Sequence, residues 1–116
     1  MTSLSTRAEQ AKPDEARGLL EELWDELAPK LWPKVTHDLH CRAETFARLL
    51  DINTPEAHLA AAMMLVPEGY TGAVGFSAPY ACGAHLFAPG GAMFKASDCQ
   101  SPALALIAAI SKAIGQ

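Results

Sequence analysis

No run of apolar residues in the sequence approaches the roughly 18 to 20 that a membrane-spanning helix needs. Nor does the segment from Met1 to Gln10 carry the apolar stretch of a secretory signal. Both absences point to a cytoplasmic protein without membrane contact. Basic charge is also scarce. Nine Lys and Arg stand against 13 Asp and Glu, giving a formal net charge of −4 and a pI near 5.4. A nucleic-acid binder needs clustered cations to neutralise phosphates, so that class is excluded as a partner. Cysteine is limited to Cys41, Cys82 and Cys99. An odd number of thiols without a secretory signal argues for reduced side chains rather than a disulfide framework.

Motifs of catalysis are missing as well. Ser77, Ser97 and Ser101 fall in expected turns or at a helix cap, and none sits within Gly-x-Ser-x-Gly. Gly69, Gly72 and Gly75 follow a helix instead of joining a strand to one, which is the wrong setting for a dinucleotide fingerprint. The sequence therefore reads as a non-enzymatic protein with no cofactor, acting by binding.

What the chain does have is apolar content. Half of its 116 residues are hydrophobic and 19% are charged, enough for one folded domain over 1–116. The charge is unevenly spread. Residues 1–50 hold 16 charged side chains and residues 51–116 only six. Glu21, Glu22, Asp25 and Glu26 lie on one expected helix, where a charge run reads as a solvated face. The charge-poor remainder must be covered by the N-terminal helices, by a second copy, or by both, so a homo-oligomer is expected.

Periodicity divides the chain into elements. Pro13 suits a first helical turn, and Ala16, Leu19, Leu20, Leu23, Trp24, Leu27 and Leu31 recur at helical spacing. Pro29 is expected to kink or end that helix. Leu39, Ala43, Phe46, Ala47 and Leu50 mark a second helix over 36–50. Thr54-Pro55-Glu56 opens a third, to about residue 65, through an N-cap, a first-turn proline and an acidic residue at the positive end of the dipole. Alternation then predicts strands over 72–77, 81–88 and 92–96. Ser77 to Tyr80 form the first turn, and Pro89-Gly90 a type II turn with positive φ at Gly90. Ser101 caps a last helix over 102–114, with Pro102 in its first turn.

The fold class is thus α+β: a three-stranded antiparallel meander flanked by helices (51–116), preceded by an N-terminal helical pair (1–50). If helices 55–65 and 102–114 cover one sheet face, the other falls to the N-terminal helices with Trp24 and Trp32, or to another copy.

Two groups of residues are candidates for a site. His37, His40, Cys41, Cys82 and His85 could ligate zinc, but their spacing fits no zinc pattern, and Cys82 and His85, three apart on a strand, should face opposite ways. The free amides after Ser101 suit an anion, Lys95 lies shortly before them, and Tyr70, Phe76, Tyr80 and Phe94 could stack on a base. The plain alternative is that Ser101 only caps its helix and the aromatics are core.

From residue 54 onward the chain carries Leu65-Val66-Pro67-Glu68-Gly69-Tyr70, an aromatic and glycine strand region, and Ser101-Pro102-Ala103-Leu104-Ala105-Leu106 with Ala108 and Ala109. Pieces of this kind in this order resemble small bacteriophage accessory proteins of the phage ABA sandwich type. The likeness covers residues 54–116 and consists of caps, turns and core positions, so it carries over no catalytic residue. It implies a phage-encoded protein acting in the host cytoplasm, with counter-defence as the expected role: sequestering a nucleotide immune signal or occupying a host immune protein. The alternative is an assembly module acting through homo-oligomerisation.

Overall fold

The structure, a computed structural model, describes residues 3–78 and 81–115, and for residues 76–78 and 81 only the backbone. Helix α1 is Leu4–Gln10, α2 is Ala16–Leu31 after a 3-10 turn at Pro13–Glu15, α3 is His37–Ile52 and α4 is Pro55–Met64. Strands β1 (Thr71–Ala78), β2 (Ala81–Phe87) and β3 (Met93–Cys99) precede the last helix, α5 (Pro102–Ala113). The sheet has order β1-β2-β3 with both pairs antiparallel, the expected meander.

Short polar side chains start four of the helices. Ser3, Thr36, Thr54 and Ser101 each accept a hydrogen bond from the backbone amide three residues on, at 3.2–3.3 Å. Such a cap satisfies an amide that a helix leaves unpaired, and is worth about 1 kcal/mol. Asn53, in the left-handed region at φ 55°, ends α3 directly before Thr54 begins α4. Helix α1 is an addition to the expected N-terminal pair. Helix α2 also continues past Pro29 to Leu31. The proline stands in the last turn, where the Asp25 carbonyl that loses its amide partner is on an exposed residue.

Helix α5 organises the core. All residues from 103 to 111 are buried, including Ser111, whose hydroxyl donates to the Ile107 carbonyl at 2.7 Å. A helix apolar on all sides needs neighbours on all sides. It packs on β2 and β3, while α1, α4 and α2 enclose the rest of it. Leu20, Leu23 and Leu27 of α2 are buried in the same core as Leu104, Ile107 and Ile110. The leucine face of α2 is therefore core. Its acidic face is exposed, with Glu22 paired to Arg7 of α1 and Glu21 to Arg17.

This arrangement corrects the expected cover of the second sheet face. Cys82, Ala84 and Leu86 of β2 point into the helical layer with Ala96 and Cys99 of β3. The opposite face, which includes Ala73, Gly75, His85, Lys95 and Ser97, has no helix over it: all five are exposed or half-buried. Trp24 and Trp32 do not reach it either. Trp24 stacks on Phe46 of α3 at 4.6 Å and meets Trp32 at 5.5 Å. The N-terminal helices are drawn to α5 because its far side is as apolar as the side that meets the sheet.

Two hairpin details also differ. At the β2–β3 turn the Gly91 amide donates to the Ala88 carbonyl at 2.9 Å, and positive φ falls on Gly91, not on Gly90. A turn followed by a left-handed residue matches strand twist better than a type II turn does. The β1–β2 connection at Pro79 and Tyr80 lies outside the described residues, and Ala78, expected in the turn, belongs to β1. Strand β3 runs to Cys99 by way of a bulge: Ala84 pairs with Ala96 but Cys82 with Cys99, so two steps on β2 face three on β3. Asp98 takes φ 57° within it. Strict alternation would turn Cys99 outward; the bulge returns it to the covered face.

Candidate functional site

The uncovered sheet face is built by alternation and register. Ala73 pairs with His85 and His85 with Lys95, while Gly75 pairs with Gly83. Together with Ser97 these side chains line a shallow hollow of about 380 Å³. Its floor is small residues, and its polar groups are the His85 imidazole, the Ser97 hydroxyl and the exposed Lys95 ammonium. At one end Phe87 and Met93, another cross-strand pair, are 42% and 53% exposed, unusual for large apolar side chains.

Lys95 is held through its backbone. Its carbonyl accepts from Lys112 Nζ at 2.8 Å, and Lys112 also pairs with Glu9 at 3.2 Å, tying β3 to α5 and α1. The Lys95 side chain is exposed on the open face. Among the described residues no buried side-chain nitrogen or oxygen lacks a hydrogen-bond partner, so polar groups for binding must come from such surfaces.

The structure does not gather the residues of the expected anion site. Ser101 is buried, and its hydroxyl accepts from the Leu104 amide within the helical layer. Lys95 lies on the other side of the sheet. Tyr70 and Phe94 are half-buried and packed against the core. The Phe76 side chain and the whole of Tyr80 lie outside the described residues. His85, the partner of Lys95, was weighed in the sequence only as a metal ligand. The signal that finds it is the Pro89-Gly90 hairpin: counting back along both strands sets residue 85 opposite residue 95.

The histidines and cysteines are dispersed. His37 and Cys41 face each other on α3 at 3.5 Å, Cys82 is buried and His85 faces the opposite side of β2, as the spacing requires. Among the described residues no three His, Cys, Asp or Glu side chains converge as a metal site. Burial pushes the Cys82 thiol pKa up, and burial with the nearby Glu9 carboxylate pushes Cys99 up to about 11. Neither is an activated nucleophile.

A second hollow, of about 470 Å³, lies between α2 and α3, with Trp24, Pro29, Trp32, Val35, Leu39 and His40 in its walls. Arg42 sits 5.1 Å over the Trp32 ring and so already occupies one aromatic face. Among the described residues no helix is long and apolar enough to cross a membrane. Comparison with protein-family models, characterised proteins and solved structures finds no match.

Proposed function

We propose that the protein is a non-catalytic, phage-derived binding module that uses the uncovered face of its sheet for counter-defence. The observation that carries this reading is the His85–Lys95 pair beside a floor of Ala73, Gly75, Gly83 and Ser97. A flat floor without bulky side chains admits a planar base, Lys95 supplies a cationic donor for a phosphate, and the His85 imidazole offers a further hydrogen-bonding group. The ligand class that fits is a nucleotide immune signal. The phage origin rests on the resemblance of residues 54–116.

Thermal shift with a panel of cyclic and ADP-ribose-type nucleotides tests it. A rise in melting temperature with at least one member, abolished by Lys95→Glu, is expected. No shift with any of them removes nucleotide sequestration and leaves occupation of a host immune protein through the same face.

A second reading is an assembly module, favoured by the exposed Phe87 and Met93 and by the charge-poor second half. Light scattering at micromolar concentration tests it, since a strict monomer is incompatible with assembly.

A further inference from the structure

The two edges of the sheet are treated differently by the chain. The β3 edge is blocked in four ways. The bulge at Asp98 breaks its regular ladder, Lys95 and Asp98 place charges on it, Lys112 occupies the Lys95 carbonyl, and α1 packs beside it. Bulges, charges and cover are the devices by which proteins stop an edge from pairing.

The β1 edge has none of these in residues 71–75; its register shift lies beyond them, between Phe76 and Ala78. The whole strand, Thr71–Ala78, contains no ionisable side chain and no proline. Thr71, Gly72, Ala73 and Gly75 are exposed. Among the described residues, no backbone hydrogen bond reaches 71–75 apart from the ladder with β2. Beside the strand, on the helical side, Leu59, Met63 and Val66 with Val74, Leu86 and Leu106 line an apolar crevice of about 360 Å³. Met63 is 62% exposed at its rim.

We infer that β1 pairs antiparallel with β1 of a second copy across a two-fold axis, joining two three-stranded sheets into one of six strands. The inference rests on the assembly reading and names its surface. Isologous pairing sets residues of the strand against residues of the same strand. Any charge on it would risk meeting its like, and β1 carries none. The glycines and alanine let the backbones approach, and the two-fold closes both crevices at once, each by the α4 side of the other copy. A standard interface takes about 800 Å² from each partner, roughly an eighth of the 6624 Å² this chain exposes. The strand edge, the crevice and Met63 form a continuous apolar surface for that purpose. The charges of residues 1–50 lie outside the strand itself.

Sedimentation velocity and amide exchange test the pairing. The wild type is expected to dimerise at micromolar concentration, and Ala73→Lys with Gly75→Lys to be monomeric with an unchanged far-ultraviolet spectrum. Both positions are exposed, and a Cβ at Gly75 meets nothing within 4 Å, so the folded monomer accommodates them. In the wild type, amides of 71–75 should exchange at least tenfold more slowly at high than at low protein concentration, with β3 unchanged. This measurement holds even if the variant fails to fold. A dimer whose β1 amides are insensitive to concentration, or whose affinity survives the two lysines, overturns β1 pairing and leaves assembly by another surface. A wild type that stays monomeric at about 200 µM overturns both.

Discussion

The imidazole of His58 donates from Nε2 to the side-chain oxygen of Asn53 at 2.8 Å, bridging the junction of α3 and α4. An amide oxygen only accepts, so Nε2 carries the proton. Burial keeps the His58 pKa below its ordinary value of 6.5, and the nearby Arg17 charge adds to the effect. The unfolded chain therefore takes up a proton at higher pH than the folded one. The resulting stability is complete above the unfolded value and is lost as pH falls through 6.5 toward the lower folded value. Melting temperature is expected to drop between about pH 7.5 and 5, and His58→Leu to flatten that slope. An imidazole that titrates by NMR at or above the ordinary value refutes the assignment.

Two glycines of β1 should respond oppositely to the same substitution. A Cβ on Gly72 would lie 2.6 Å from the His85 carbonyl oxygen, whereas one on Gly75 has open space. Gly72→Ala is expected to cost about 1–3 kcal/mol in denaturant unfolding, because a backbone carbonyl must shift. Gly75→Ala should be neutral or stabilise by up to about 1 kcal/mol, since it restricts only the unfolded chain. Equal effects would mean that the β1–β2 register is different.

Leu23 and Leu27 are 0% and 2% exposed. Leu23→Glu with Leu27→Glu would bury two carboxylates without partners, and loss of the cooperative melting transition is expected. Leu20→Ala alone should cost about 2–5 kcal/mol. By contrast Val35, 79% exposed, should accept serine with little change.

The thiols should separate by reactivity. Cys41 is exposed, and is expected to react with an aromatic disulfide reagent in the native state while Cys82 and Cys99 wait for unfolding. Directly paired antiparallel residues have Cα atoms about 4.5–5.5 Å apart, inside the disulfide range of about 4.4–6.8 Å. Refolding from denaturant in an oxidising glutathione buffer should thus join Cys82 to Cys99, their register being fixed by the bulge. Peptide mapping that finds Cys41 in the bridge would contradict the register.

Much of this fold was legible because its signals are local. Thr54-Pro55 and Ser101-Pro102 fix two helix starts through hydrogen bonds three residues long, and the change to alternation after Gly69 marks the sheet. What was not legible depends on distant partners. Helix α1 has few turns, and it is held by Glu9 and Arg7 reaching Lys112 and Glu22. The bulge at Asp98 has no glycine to announce it. Which sheet face stays open depends on α5, whose only charge is Lys112 and whose far side claims the N-terminal helices. The candidate site shows the same limit. Lys95 and Ser101 are close in sequence, yet the strand's alternation sends Lys95 outward while the chain turns back beneath the sheet at Ser101.

The sheet and the helices α1, α2 and α4 are made before α5, yet it is α5 that both sides are fitted around. During synthesis the earlier elements emerge with the apolar surfaces that α5 will cover still open to water. A nascent chain that stops before residue 102 leaves those surfaces exposed, so the core closes only once α5 has been delivered.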